Sequence, residues 1–522
     1  MPASAAATAP ASRGRAIAFW LIGAVVVCTY TMVAVFHVKF GAMNVDEGFY
    51  AAATRAAWQG EMPYRDFGFT QPPLVAYANA PLLAATGFGL FQQRAVNGLW
   101  AALAVSLSAW LVFRRGGRAS ALLLIALFAL APPWMYFIHL GKTYAVTSFI
   151  AIAATAIFLL APPGPKKTCA LSALAAIGIG CRLPAAPFFG ILWLANLFEA
   201  GRPHLRQIGL AVAALAISAA IVFLPFYLVA PERFVFWVFD FHRISVPMKD
   251  WRLTWNVIVS LAPAVWLLAL ASIAPPSARR AGWQREHAVL LAACAGLAFN
   301  LLPRGTYEEY GVPFLLPLAT ASLALLHPVV SSFSLRRSIL FTLPLLAAPF
   351  VVAPAVNWTH LSEPQRHLPS VFLPPNTPPY HFELPERIAA ARDVVQRLLP
   401  PDQPFVGSAI ILGTETGHEI PPRFRMGAFS MSFDYERDRA HALHLATADD
   451  FERYLRDIDS PLVVFHTNPK FNFAWSVPSF TAQPEENWRE FDRLLNRYFI
   501  PVYRDQEFLI LARPHVVPIV AP

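Results

Sequence analysis

Repeated apolar runs of about twenty residues limit the possible folds of this chain more than any other feature. A helix of about twenty apolar residues crosses the roughly 30 Å hydrocarbon core of a bilayer. Hydrophobic residues make up 56% of the sequence and charged residues only 14%, which excludes a disordered chain, a collagen-like repeat and a small disulfide-stapled scaffold. We therefore predict a polytopic α-helical membrane protein.

Charge divides the chain into two parts. Residues 1–356 contain 25 Lys and Arg against 11 Asp and Glu, whereas residues 357–522 contain 16 against 21. We predict a basic transmembrane domain over the first part, a Pro-rich linker at 357–383 and a soluble α/β domain at 384–522. In the last part, helical patterns at 384–399, 448–458 and 485–498 alternate with strand-like runs at 405–412, 461–465 and 507–512.

The positions of Lys and Arg set the predicted topology, because the cytoplasmic loops of membrane proteins are enriched in these residues. Residues 72–91 are apolar but are interrupted by Pro72, Pro73, Pro81 and Gly87. We place this stretch at the outer face, since the cluster of Arg114, Arg115 and Arg118 then lies inside. Eleven spans follow, near residues 16–38, 94–113, 119–138, 143–161, 168–182, 185–199, 205–229, 254–274, 287–302, 312–329 and 338–356.

Residues that were not used to derive this topology agree with it. Every later cytoplasmic loop is basic, and nine of the eleven acids in the transmembrane part face outward. The prediction is a multi-pass membrane protein with a cytoplasmic N-terminus and a C-terminal domain on the opposite, outer side. The cytoplasmic loops account for the positive charge, so we expect membrane lipids and no nucleic acid as partners. All four cysteines fall in apolar runs, which excludes a disulfide framework and a cysteine-based zinc site.

Polar residues concentrate in the first outward loop, residues 39–93. Asp46 and Glu47 begin a helical pattern about eight residues after the first span, where paired carboxylates could accept a proton from a hydroxyl or hold a divalent cation. The alternative is structural: Asp46 would cap the helix and Glu47 would complement its dipole. Other candidates for substrate contact in this loop are Tyr50, Tyr64, Arg65 and Asp66.

Cations also lie in predicted outward loops, against the usual preference of Lys and Arg for the cytoplasmic side. Lys142, Arg182 and Arg304 could together bind the phosphate or pyrophosphate of a lipid through charge-assisted hydrogen bonds. The alternative is that they snorkel to headgroups. The aromatic-rich loop at 231–252 could cover the site or form an interfacial aromatic belt. Further candidates for substrate contact are His139, Glu308, Glu309 and Tyr310.

One segment of the first loop resembles a known family. Asp-Glu-Gly-Phe-Tyr, followed by Gly-x-x-Pro-Tyr-Arg-Asp-Phe and Gln-Pro-Pro-Leu within residues 44–73, resembles the first periplasmic loop of GT-C membrane glycosyltransferases. This superfamily includes the protein O-mannosyltransferases and the lipid A aminoarabinose transferases. The chain looks most like the bacterial branch related to rhizobial lipopolysaccharide galacturonosyltransferases. The resemblance in architecture extends over residues 16–356.

The resemblance implies transfer of a sugar, with inversion, from a polyprenyl-phosphate donor to a lipid, glycan or protein acceptor of the cell envelope. It also implies that the chain lies in a bacterial inner membrane, with its C-terminal domain in the periplasm. Asp46 matches the family's catalytic acidic residue, a general base or acceptor orienter, and Glu47 matches its partner. Many members have a further Asp after the third span, whereas residues 139–142 contain no acid here. A metal-bridged pair of carboxylates would then require Glu308 or Glu309. A divalent cation at Asp46 and Glu47 is an open alternative, and no other cofactor is expected.

Two other classes of function remain at this stage. A transporter or flippase for lipid-linked sugars would also place ionisable residues near the membrane, but its usual signs are charges at mid-span and repeated halves, which are not visible here. A non-catalytic membrane protein with an exported domain would leave the polar residues of the outward loops unexplained.

Overall fold

The computed structural model describes residues 13–129, 132–199, 201, 203–244, 285–301, 308–330, 382–456, 461–467, 493 and 495–516. The predicted spans near 254–274 and 338–356 lie outside these residues. In chain order the first helices are α1 (Arg13–Phe40), α2 (Asp46–Trp58), α3 (Leu74–Thr86), α4 (Leu90–Ala129), α5 (Pro132–His139), α6 (Tyr144–Leu160), α7 (Pro165–Cys181), α8 (Ala186–Phe198) and α9 (Leu205–Val229).

Two short helices follow α9. They are α10 (Pro231–Val235) and α11 (Phe241–Ile244), joined by a π-helical turn over Phe236–Asp240. Next come α12 (Arg285–Leu301), α13 (Val312–Val330), α14 (Leu384–Leu398), α15 (Ile410–Thr416), α16 (Arg437–Ala442), α17 (Ala448–Arg456) and the strands β1 (Leu462–His466), β2 (Ile500–Arg504) and β3 (Phe508–Ala512).

Several of these helices have the length and composition of membrane spans. Trp20–Phe40 of α1, all of α4, all of α9 and Glu309–Leu326 at α13 are long and apolar enough to cross a bilayer. The chain is therefore an integral membrane protein. The interruption of α4 at Gly117, with φ 79°, falls beside the arginine cluster that separates the predicted second and third spans. Helix α3, at 13 residues, is about 20 Å long, too short to cross alone.

The helical bundle centres on α4. This helix packs against α1, α6 and α13, while α7 packs against α9 and α12 packs against α8 and α13. The surfaces of α1 and α9 that are not packed against other helices are rich in exposed apolar side chains, among them Trp20 (69% exposed) and Ile221 (71%). Such surfaces suit contact with lipid tails, because exposed apolar patches of this extent are rare on soluble monomers.

The C-terminal region contains a three-stranded antiparallel sheet in the order β1–β3–β2, with Val464 opposite Ile510. Helices α14 and α17 and strands β1 and β3 confirm four of the predicted elements, and β2 was not predicted. The predicted strand at 405–412 is wrong: α15 begins at Ile410, and residues 405–409 form only an isolated bridge between Gly407 and Val464. Ile410, Ile411 and Leu412 are all buried, so this run had no polar alternation to separate a strand from a buried helix.

The C-terminal region packs directly on the first loop. One continuous hydrophobic core includes residues of α2, the membrane helices, α15 and the sheet. Gly48 on α2 packs against α15 so closely that a Cβ there would lie 2.9 Å from Cγ1 of Ile410. The proposed domain boundaries near 357 and 384 fall outside or at the edge of the described residues and stay predictions.

Candidate functional site

Glu47 forms a buried ion pair with Arg94 of α4. Arg94 Nε lies 2.7 Å from Glu47 Oε1 and Nη2 lies 2.6 Å from Oε2, while its guanidinium also donates to the carbonyls of Gly41 and Ala42. The backbone N–H groups of Asn44 and Gly141 donate to the same carboxylate, at 3.0 and 2.9 Å. Both oxygens of Glu47 are thus engaged. Its placement supports a structural role, anchoring the start of α2, and its role as catalytic partner stays a prediction.

Asp46 faces a different group. Its Oδ2 lies 2.8 Å from Nζ of Lys142, and its side chain is 29% exposed. Helix α2 begins at Asp46 itself, and Val45 at the N-cap makes no side-chain capping bond. The alternative that Asp46 caps the helix is therefore wrong, and its carboxylate remains partly open to a ligand.

Lys142 lies between two carboxylates. Besides Asp46, its Nζ contacts Oε1 of Glu309 at 3.1 Å, and its side chain is 3% exposed. Burial alone would lower the pKa of Lys142, but the carboxylates of Asp46 and Glu309 raise it well above the usual lysine value. Lys142 is a buried, charged bridge between Asp46 and Glu309, and the snorkelling alternative is wrong for it.

Arg182 follows the end of α7 and is buried without a carboxylate partner among the described residues. Its guanidinium lies between two aromatic rings, 4.7 Å from the ring centre of Tyr144 and 4.9 Å from that of Tyr310. Nη1 donates to Oγ1 of Thr143 at 3.2 Å, and Nε is buried without a hydrogen-bond partner in the described part. A buried cation with an unused donor is suited to bind an anion.

Tyr50 completes this group from α2. It is 6% exposed, and its phenol interacts electrostatically with Lys142, Asp46, Arg182 and Tyr310. Burial raises the pKa of Tyr50, so its hydroxyl stays protonated and can donate a hydrogen bond. The candidate site consists of Asp46, Tyr50, Lys142, Thr143, Tyr144, Arg182, Glu309 and Tyr310.

Other predicted residues lie apart from this group. His139 is buried, with Nδ1 2.5 Å from the Met135 carbonyl and its ring stacked on His37. Tyr64 is 0% exposed and donates its hydroxyl to the Gln71 carbonyl at 2.6 Å. In this structure neither side chain is open to a substrate.

Arg65 and Asp66 form a surface ion pair at 2.7 Å, and the hydrogen bond from Arg65 lowers the pKa of Asp66. The carbonyl of Arg65 is contacted by Arg233 and His444, which places the pair beside the C-terminal region. Arg304 lies outside the described residues, as does the side chain of Glu308, so their roles stay predictions.

The described part of the aromatic-rich loop, residues 231–244, packs between the first loop and the C-terminal region. Trp237 is 0% exposed and donates Nε1–H to the Leu443 carbonyl at 3.0 Å. Nε2 of His242 lies 2.5 Å from the Thr70 carbonyl. Trp237 is therefore a core residue, and an interfacial aromatic belt does not describe its position.

The surroundings of Asp46 and Glu47 do not fit the divalent-cation site that the sequence analysis considered for these two residues. Both oxygens of Glu47 are bound by Arg94 and by backbone N–H groups, and the ammonium of Lys142 lies against Asp46. No group of three or more His, Cys, Asp or Glu side chains that could hold a metal ion occurs among the described residues.

Three residues of this arrangement were missed in the sequence. Arg94 opens the predicted second span, while Thr143 and Tyr144 open the fourth, so each looked like an ordinary boundary residue. The sequence offered one signal for Arg94: it is a charged residue at the outer end of a predicted membrane span. Nothing in the sequence indicated that Tyr144 would stack on Arg182.

Comparisons with known proteins bear on the fold. No family model matches the sequence, and no curated protein matches it significantly. The crystal structure of ArnT from Cupriavidus metallidurans bound to undecaprenyl phosphate matches with a TM-score of 0.63 and 16% sequence identity, covering 98% of this chain and 100% of that chain. The chain has the fold of ArnT. The apo structure of ArnT matches with the same TM-score and identity, covering 95% of this chain and 98% of that one.

ArnT is a lipid A aminoarabinose transferase of the GT-C superfamily, so the expected resemblance is confirmed for the fold. The match extends over nearly the whole of both chains and thus includes the C-terminal region as well as the helical bundle. At 16% identity, the likeness to ArnT carries the fold alone. The count of eleven spans stays a prediction.

Proposed function

We propose that this chain is a membrane glycosyltransferase that takes a sugar from a polyprenyl-phosphate donor and transfers it to a lipid, glycan or protein of the cell envelope. The observation that carries the proposal is the buried guanidinium of Arg182, which has no acid partner among the described residues. It donates a hydrogen bond to Thr143, the residue that follows Lys142 of the Asp46–Lys142–Glu309 group. The likeness to ArnT, whose structure holds undecaprenyl phosphate, supports a lipid phosphate as the anion.

Lys142 and Arg182 differ in whether an acid neutralises their charge, which suggests different roles for the two cations. Lys142 is already neutralised by two carboxylates, whereas Arg182 retains a free donor at Nε. Arg182 is therefore the stronger candidate for the donor phosphate, which gains charge as the leaving group departs. Asp46, the more exposed of the two acids on Lys142, is the candidate for contact with the acceptor.

The proposed reaction is direct displacement at the anomeric carbon. A bond forms between the acceptor oxygen and that carbon while the bond from carbon to the phosphate oxygen breaks, which inverts the configuration. Asp46 takes the acceptor proton, and Arg182 donates hydrogen bonds to the departing phosphate. Lys142 keeps both carboxylates in place, and no step is assigned to a metal. We propose that this occurs at the periplasmic face of the inner membrane, as the predicted topology requires.

A deletion strain tests the proposal. Envelope lipids and glycans extracted from it should lose a sugar-bearing species, detected by mass spectrometry, that a plasmid with the wild-type chain restores. Purified protein in nanodiscs should also bind undecaprenyl phosphate, used as a probe and followed by native mass spectrometry. Unchanged envelope species in the deletion strain together with no retention of the probe would overturn the proposal.

A further inference from the structure

Helix α15, in the C-terminal region, contacts α2, the helix that begins at Asp46. Gly48, two residues after Asp46, lies so close to α15 that an added Cβ would be 2.9 Å from Ile410 Cγ1 and 3.0 Å from the backbone N of Ile411. Real Cβ atoms essentially never come closer than 3.0 Å to such a heavy atom. Only glycine at position 48 permits the observed contact between α2 and α15, so any shift of α15 would change the space available to the start of α2.

The same helix also contacts α4. Glu415 Oε1 accepts the backbone N–H of Leu90, the first residue of α4, at 2.7 Å. One turn further along α4, Arg94 holds Glu47, the neighbour of Asp46. Helix α15 therefore contacts both sides of the Arg94–Glu47 pair, at the start of α2 and at the start of α4.

Further bonds hold the rest of α2 and its following turn to the C-terminal region. Arg55 donates to the His418 carbonyl at 2.7 Å and to the Gly417 carbonyl. Arg425, which is 7% exposed, donates Nη2–H to Glu61 Oε1 at 3.0 Å and pairs with its second oxygen. These contacts join segments more than 350 residues apart, so they cannot arise from local folding of the first loop.

We infer that α15 positions Asp46 for the reaction, with Ile410 and Glu415 as positioning residues supplied by the C-terminal region. This inference rests on the proposed function. Its physical basis is that catalysis requires the base and the reacting carbon in close alignment, and α15 is packed against both helices that set the location of Asp46.

The first test exploits the close contact at Gly48. Gly48→Ala should reduce the restored envelope species roughly tenfold or more, because a displacement of about 1 Å at a reacting group can lower rates a hundredfold. Adding Ile410→Ala removes the closer of the two contacts and leaves the backbone N of Ile411 in place, so the double variant should recover part of the lost transfer and exceed Gly48→Ala several-fold. A double variant no better than Gly48→Ala would overturn the inference, since it would show that Ile410 does not transmit the change.

The second test uses Glu415. Glu415→Ala removes the acceptor for the Leu90 N–H, whereas Glu415→Gln keeps an oxygen that can accept it. We expect roughly tenfold loss for the alanine variant and near wild-type transfer for the glutamine variant. Binding of undecaprenyl phosphate should be unchanged in both, because neither contacts Arg182. Glu386→Ala, an exposed acid on α14, is the control for expression and membrane insertion.

The outcomes separate the two proposals. If the wild-type plasmid restores no envelope species, the proposed function fails. If it restores the species and Glu415→Ala restores it equally well, the inference about α15 fails. Loss of probe binding in Glu415→Ala would also overturn it, because that result would indicate general unfolding in place of a local shift at Asp46.

Discussion

Helix α6 has a cluster of charged residues at each end, and the two clusters differ in how their charges are neutralised. At the N-terminal end lie Lys142 and Arg182, and at the C-terminal end Lys167 and Arg285. The helix has 17 residues, so the clusters are separated by about 25 Å. The same residue types therefore occur in one bundle in two settings.

At the C-terminal end each cation has both an acid and a backbone carbonyl. Lys167 donates to the Phe158 carbonyl at 2.7 Å and pairs with Glu199, and Arg285 pairs with Glu199 and donates to the Leu159 carbonyl at 2.9 Å. These bonds satisfy the carbonyls that the last turn of a helix leaves free. Both cations of this cluster therefore have an acid partner within the protein.

In the N-terminal cluster only one of the two cations has an acid partner among the described residues. Lys142 has two acids, but Arg182 has two aromatic rings, one hydroxyl and a buried Nε without a partner in the described part. An unpaired buried donor costs free energy unless a ligand supplies the acceptor. The difference supports the proposal that Arg182 binds an anion, whereas the cations of the C-terminal cluster already have partners within the bundle.

The largest expected effect is at Lys142. Lys142→Met removes the cation between Asp46 and Glu309 and leaves two carboxylates facing each other. We expect the free energy of unfolding to fall by roughly 3 kcal/mol, the lower end for removing one partner of a buried ion pair, since Asp46 is partly exposed. Unfolding in detergent measures this. Adding Glu309→Gln should recover part of the loss, and equal stability of all three proteins would contradict the ion-pair account.

Asp46→Asn should have the next largest effect, on transfer and not on folding. The amide keeps the size of the side chain but cannot take the acceptor proton, so we expect the restored envelope species to fall roughly a hundredfold. Asp393→Asn changes an exposed acid of α14 and serves as the matched control. Normal transfer by Asp46→Asn at wild-type membrane levels would remove this residue from the base role.

The smallest expected effect compares the two clusters directly. Arg182→Lys keeps the charge but loses the planar group that can donate two hydrogen bonds at once, so affinity for undecaprenyl phosphate should fall several-fold, or about 1 kcal/mol. Arg285→Lys makes the same change at the other end of α6 and should leave this affinity unaltered while lowering the melting temperature. Equal affinities in Arg182→Lys and wild type would erase the functional distinction between the clusters.

Much of the site was visible in the sequence as a set of unusual residues, but its pairings were not. Asp46, Lys142, Arg182 and Glu309 were each singled out, yet Lys142 and Arg182 were expected to act alike. The structure gives Lys142 two acids and Arg182 none among the described residues. These residues come from separate loops, and no local pattern specifies which acid approaches which cation.

The sequence by itself determined that the chain enters the membrane and which residues begin the first loop. Hydropathy over about twenty residues and the positions of Lys and Arg are properties of local segments. Insertion of a segment into the bilayer depends on these local properties. Tertiary structure alone decided that Glu47 is anchored by Arg94, that Arg182 lies between Tyr144 and Tyr310, and that α15 packs on Gly48. Each of these contacts joins residues at least 38 positions apart in the chain. Their free energy depends on burial and geometry, which exist only after the helices have packed.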